Sequence, residues 1–387
     1  MKILHLFSDW KWTGPAEPVI NLCQSLQQRG HEVVLAYRRP PFEALESVEK
    51  GVMEKGIKGI DRFRLAPVSK PYYLHHLKGS LTDIKAISRY IDAEGFEIVN
   101  VHNSHDHIVG GLAARASRRH PPVIRMDHKR DSLNADLISR WFFGRYTDGL
   151  ITFSEKSRKK LIEELGFPQQ RVVKVHPALD LQRFDPRRKY RDMRTTFSIP
   201  QDAPVVGIVA RFQRYRRTDL LLEAFSQLIK TVPDARLLLV GRSSQMKKSV
   251  LEPMRRLGFE NSVVLAGYRK EDYLDTLACM DIFTLISPGS DGTARALREA
   301  MAMGKPVVVT RRGMLPELVQ NGITGFVVQE NPEALYQALL PMVKDEKLRS
   351  SIGRSAHEMA QKEFRLERQA EEVETFYQRI LEKVPSL

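Results

Sequence analysis

Along the chain, short runs of β-branched and other apolar residues alternate with stretches whose apolar positions recur at three and four residues. These are the spacings of strands buried on both faces and of amphipathic helices. Lys2 to Phe7 reads as a first strand, and 17–29, with Val19, Ile20, Leu22, Cys23 and Leu26 at helical spacing, as a helix stopped by Gly30. His31 to Tyr37 is the second strand, so the chain opens βαβ. The pattern weakens over 38–73, then resumes with a helix at 84–91, a strand at 98–102, a polar loop at 103–107, a helix at 108–116 and a strand at 123–126. A helix over 134–146, strands at 150–153 and 172–175 and a crossover at 176–186 close the first half.

The second half repeats the alternation: strands at 205–209, 237–240, 263–265, 282–286 and 306–310, a small strand within 322–328, and helices at 219–229, 293–303, 332–344, 347–362 and 365–381. No internal sequence repeat accompanies this double run. Two doubly wound α/β domains facing across a cleft follow from it. The expected division is 1–183 plus 365–387, with the last helix crossing back, and 184–364. A chain of 387 residues is of a length for two cores.

Composition narrows the picture at three points. Cys23 and Cys279 lack metal-type spacing and read as buried free thiols, which fits a reducing cytoplasm. No run of about 18 apolar residues is present, so a spanning segment is not expected, and the opening residues are too short for a signal sequence. The formal net charge of +14 is compatible with nucleic acid, anionic lipid or phosphorylated small molecules and does not choose among them. Basic residues with Tyr72 and Tyr73, and Arg140, Trp141, Phe142, Phe143 and Arg145, suit either an anionic membrane face or ordinary surface and core packing.

The chemistry concentrates in the run from Asp281 to Thr310. A loop containing Gly289 and Gly292 feeds a helix N-terminus, which points backbone N–H groups and the positive end of the helix dipole at whatever lies beyond the strand ends. Asp291 and Glu299 are about two helical turns apart, so one carboxylate suits ribose hydroxyls and the other a sugar. Capping by Ser290 or Asp291 and a solvated Glu299 is the alternative. Arg211, Arg214, Arg216 and Arg217 beside a strand end suit a diphosphate, because a guanidinium offers paired hydrogen bonds and keeps its charge. His102, His105 and His107 match no standard zinc spacing, and no Asp-x-Asp run is present, so transfer without a metal or other cofactor is expected. Trp10 and Trp12 form either an acceptor platform or packing under their loop.

The segment Asp291-Gly292-Thr293-Ala294, followed by Glu299-Ala-Met-Ala-Met-Gly-Lys-Pro306, resembles the nucleotide-sugar motif of retaining glycosyltransferases of family 4, which have two Rossmann-like domains in the arrangement called GT-B. In that motif a Glu-Gly-Phe-Gly precedes Glu-Ala-Met-Ala-x-Gly-x-Pro; Asp291 stands for the first Glu, and Thr293 and Ala294 replace Phe-Gly. Val123 to His128 resembles the family's Val-Val-x-Thr-x-His, with Met126 in place of Thr, and Ala210 to Arg217 resembles Gly-Arg-x-x-x-x-Lys-Gly. The likeness covers nearly the whole chain and is more specific in its second half.

The resemblance implies a hexosyltransferase that takes a sugar from a nucleoside diphosphate sugar, held by 184–364, and passes it with retention to an acceptor on 1–183. It implies His128 facing the sugar, Arg211 and Arg216 neutralising the departing diphosphate, Asp291 orienting the sugar and Glu299 holding the ribose. Gly14, Gly241, Tyr268, Gly292, Thr293 and Ala294 are then further donor contacts. Closure of the cleft would exclude water and favour transfer over hydrolysis. The acceptor expected is a cell-envelope glycan or glycolipid, such as a lipopolysaccharide core, met in the cytoplasm or at the inner membrane face; nucleic acid is not expected. A non-catalytic binding protein and an inverting transferase of the same fold stand as the alternatives.

Overall fold

A computed structural model describes residues 1–12, 14–44, 46–66, 73–128, 137–288 and 294–383. The chain divides into two compact units, Met1–Ala178 with Leu366–Leu387, and Leu179–Arg365.

In the first unit, among the described residues, seven strands form one parallel sheet: β1 (Lys2–Phe7), β2 (Glu32–Tyr37), β3 (Lys58–Ile60), β4 (Ile98–Val101), β5 (Val123–Met126), β6 (Gly149–Thr152) and β7 (Val172–Lys174), in the order β3-β2-β1-β4-β5-β6-β7. The order reverses between β1 and β4, which is where a doubly wound sheet leaves a crevice beyond its carboxyl ends. Side chains alternate across the sheet. Leu4, Leu6, Val99 and Val101 form one core with Ile87, Ile91, Val109 and Ala113. The last helix, Leu366–Lys383, belongs to this unit: Glu371 and Glu374 pair with Arg29, Glu372 with His176, and a Cβ placed on Gly149 would meet the Phe376 ring at 2.8 Å.

The second unit repeats the plan with six parallel strands: β8 (Val205–Val209), β9 (Arg236–Val240), β10 (Val263–Gly267), β11 (Ile282–Leu285), β12 (Val307–Thr310) and β13 (Gly325–Val328), in the order β10-β9-β8-β11-β12-β13. Its reversal lies between β8 and β11. Val206, Ile208, Leu237 and Leu239 pack on Leu221, Phe225, Leu228, Leu335 and Leu339. The doubly wound α/β architecture expected from the alternation is therefore present in both units.

Three local expectations are corrected. The weak stretch over 38–73 contains a helix, Val48–Glu54, and the strand β3, both short enough to carry little periodicity. The helix read at 84–91 runs from Tyr73 to Glu94. The loop read at 103–107 is the start of the helix Ser104–Ala116: Asn103 and Asp106 form a capping box, in which the Asp106 carboxylate accepts from the Asn103 N–H at 2.8 Å. The His-Asp-His run made this turn look like a polar loop, yet all three side chains are buried. Among the described residues, no helix is long and apolar enough to cross a membrane.

Candidate active site

In the second unit, the loops after β8 and β11 meet at the reversal. Arg216 reaches across it, its Nη1 donating to the Ser287 carbonyl at 2.9 Å, while Arg211 is exposed. Arg216 is thus tied to the wall of the crevice by one end of its guanidinium. Arg217 follows at φ +54° and begins the helix Thr218–Thr231, whose first turn has no side-chain cap. It stands where the resembled motif has Gly, and the left-handed backbone there supplies the reason.

Gly241, at the end of β9, has φ +140°, and a Cβ there would lie 1.9 Å from the Ala210 carbonyl oxygen. Only glycine lets these two loops approach, and the Gly241 N–H donates to the Gly267 carbonyl at 2.8 Å. The next residue, Arg242, holds its guanidinium 4.6 Å from the centre of the Tyr268 ring. That ring is 58% exposed and leaves apolar area beside a fixed cation.

Glu299 is not a solvated charge: it is 3% exposed, on the helix Arg295–Ala302. Its Oε1 accepts from Arg295 Nε at 2.6 Å and its Oε2 from the Tyr273 hydroxyl. Burial, and then the carboxylate itself, hold the Tyr273 phenol well above its usual pKa, so it stays protonated and donates. Each carboxylate oxygen has a second lone pair, so the two partners fix the group and leave it able to accept from a ligand. Ala294, just before this helix, is buried. Asp291, Gly292 and Thr293 lie outside the described residues, as do Thr13, Tyr72 and residues 129–131.

In the first unit, the loop after β1 leads through the exposed Gly14 to the helix Ala16–Gln28, whose first turn also has no side-chain cap. Trp12 packs beneath this loop, since a Cβ on Gly51 would meet its ring at 2.1 Å, and Trp10 lies edge-on to Phe42. Packing thus accounts for Trp12. Asp106 ties the two loops at the reversal together, accepting from the Ser8 and Asn103 N–H groups, each at 2.8 Å, and burial pushes its carboxyl up to about 6. His128 follows β5, buried; its Nε2 faces His102 Nδ1 at 3.2 Å, and burial lowers it to about 3. His107 faces Thr147 Oγ1 at 2.6 Å instead. Among the described residues, no group of three or more His, Cys, Asp or Glu is placed to hold a metal ion.

The sequence points to Glu299, His128 and His102 but not to three side chains that meet them: Tyr273 and Arg295 at Glu299, and His5 at His102. Arg295 was readable as an i,i+4 partner of Glu299. Tyr273 is 26 residues away in the chain, with nothing local to mark it.

Two family descriptions match, in chain order: "Glycosyltransferase Family 4" over residues 13–183 and "Glycosyl transferases group 1" over residues 203–345. The chain belongs to the glycosyltransferases. A curated relative of this glycosyltransferase, the N-acetyl-alpha-D-glucosaminyl L-malate synthase of Bacillus anthracis, is 25% identical over 370 residues, covering 93% of this chain and 92% of its own. A glycosyltransferase structure from Rickettsia africae matches the fold with TM-score 0.82 at 20% identity, covering 99% of both chains. Anabaena HepE, solved in complex with UDP and glucose, matches with TM-score 0.76 at 20% identity over the full length of both. These glycosyltransferases share the GT-B fold, and the family match bears out the expectation of a hexosyltransferase.

Proposed function

We propose that this glycosyltransferase moves a hexose from a UDP-sugar to an anionic acceptor, with retention at the anomeric carbon and without a metal. The observation that carries the donor half is the assembly at the β8–β11 reversal. There Arg216 is tethered at Ser287, Arg211 is exposed on the same loop after β8, and Glu299 is buried yet held in one orientation. The two guanidiniums neutralise the charge that develops on the departing diphosphate, the role a metal plays elsewhere. Glu299 accepts from the ribose hydroxyls and Tyr268 lies against the base. Asp291 orients the sugar and the N–H groups near Gly292 and Thr293 meet the phosphates; these assignments come from the motif. UDP is favoured because HepE carries it.

In the first unit, His128 is assigned to the sugar side of the reaction and Gly14 to the acceptor or diphosphate side. The acceptor is an anionic glycan or glycolipid of the cell envelope, or a small carboxylic acid like the malate in the name of the Bacillus relative. The helix Leu137–Tyr146 favours the glycolipid reading: it exposes Leu137 at 83% and Trp141 at 61%, with Arg140 and Arg145 exposed beside them. An apolar tip set among cations suits an anionic leaflet, to which each cation adds about 1 kcal/mol.

The test is thermal stabilisation by UDP, GDP and their sugars, with and without a chelator, in the parent, Glu299→Ala and Arg211→Ala. A ligand that binds only the folded state raises the melting temperature with occupancy. We expect a shift with UDP-sugars, insensitive to chelator and lost in both variants; no shift with any nucleotide would sink the donor site. Product anomer analysis separates retention from inversion. Sedimentation with anionic vesicles, abolished in Trp141→Glu, tests the membrane face.

A further inference from the structure

The first unit contains a file of three histidine rings, of which the reaction as described uses only His128. His5 lies in β1, His102 directly after β4 and His128 shortly after β5, three neighbouring strands. The His5 and His102 rings lie nearly parallel with centres 5.3 Å apart, and His102 and His128 follow at 5.4 Å. The nitrogens meet in series: His5 Nδ1 is 3.1 Å from His102 Nε2, and His102 Nδ1 is 3.2 Å from His128 Nε2. At the inner end, Asn100 Nδ2 is 3.3 Å from His5 Nδ1. All four side chains are buried.

We propose that Asn100, His5 and His102 are positioning residues that fix the tautomer of His128, with its proton on Nε2 and Nδ1 left as the bare nitrogen that accepts from a sugar hydroxyl. This rests on the reading that His128 faces the sugar. A neutral imidazole has one N–H and one bare nitrogen. His102 uses both of its nitrogens, so it donates in one direction and accepts from the other, and the whole file has a single polarity. Asn100 sets it. Its amide N–H donates to His5 Nδ1, which must then be bare, so His102 Nε2 carries the proton that points at His5. His102 Nδ1 is therefore bare and accepts from His128 Nε2–H. The opposite polarity would set an N–H of His5 against an N–H of Asn100.

The cost falls on His5 and Asn100, since the His5 Nε2–H and the Asn100 Oδ1 find no partner. The file also has to stay neutral, because a doubly protonated ring would reverse one of its bonds. Burial lowers the pKa of all three rings, and the buried Arg125 guanidinium adds to this at His102 and His128. Among the described residues, no side chain takes His128 Nδ1, so this nitrogen is the one left for a ligand.

Histidine-selective 15N labelling with long-range 1H–15N correlation spectra reads the tautomers directly. In the parent protein we expect the His128 signals of an Nε2–H tautomer. His102→Phe keeps a planar aromatic ring and removes both nitrogens; His128 should then show a mixture of tautomers. Turnover should fall about tenfold, the size of one lost hydrogen bond, with the donor KM within about twofold. An Nδ1–H signal in the parent, or an unchanged tautomer and turnover in His102→Phe, would overturn the proposal. The parent spectrum needs no substitution, so the test stands even where a variant fails to fold. Parent-like turnover in His128→Ala would instead remove the sugar-facing assignment, while the spectra still decide whether the file sets the tautomer.

Discussion

Glu299 owes its usefulness to two neighbours rather than to its place in a motif. A carboxylate 3% exposed needs a cation and hydrogen bonds to replace its lost hydration, and Arg295 and Tyr273 supply them. Tyr273→Phe removes one of those bonds without changing the ring. We expect the donor KM to rise by about threefold to tenfold with the fold intact, the net size of one ordinary hydrogen bond, measured by steady-state kinetics. Titration is a second consequence of burial at this scale. His5 and His128 are held near 3, and His102 and His107 well below 6.5, all chiefly by desolvation. Unfolded imidazoles take up protons near 6.5; in the folded protein His5 and His128 resist down to about 3, and His102 and His107 to well below 6.5. Their contribution is therefore complete above pH 6.5 and is lost as pH falls towards 3. Asp106 acts in the opposite sense, its stabilising contribution present at low pH and lost as pH rises through about 6. With four imidazoles against one carboxyl, urea midpoints should fall steadily between pH 6.5 and 4; a flat profile would contradict the neutral buried rings.

Among the elements, those with a strong period were legible and those held by a single contact were not. The buried strands β1, β2, β5, β8, β9 and β12 announce themselves as apolar β-branched runs, because both faces of a parallel sheet are covered. The start of the helix Ser104–Ala116 does not, since its signal is the Asn103–Asp106 capping box inside a polar run. Gly241 is a case between the two. The resemblance marks it as a donor contact, and the structure gives it a packing reason, the Ala210 carbonyl lying where a side chain would begin. Gly241→Ala should destabilise the second unit by about 2 kcal/mol or more, through the left-handed backbone and the overlap together. Circular dichroism melts would show it, and an unchanged melting temperature would mean that the two loops are not locked as described.

For the whole molecule, the last helix follows the second unit in the chain and folds with the first. Phe376 and Tyr377 are buried there, Phe376 against Gly149 of β6. Phe376→Ala should cost the first unit about 3–5 kcal/mol and leave the second nearly untouched. A single melting transition should then split in two, with the UDP-dependent shift confined to the upper one; a uniform drop of one transition would show that the units melt together. Sequence by itself determined the doubly wound architecture of both units and the motif residues around Glu299 and Arg211. Hydrophobic period and local spacing are written in neighbouring residues, and the period of a strand or helix survives any tertiary context. Only the tertiary structure decided that Tyr273 meets Glu299, that Arg216 is tethered at Ser287 and that His5, His102 and His128 stand in file. Those contacts join residues 26 to 97 positions apart. Their partners are chosen by strand order and by which face of a sheet each side chain takes, and neither is written in any one stretch of the chain.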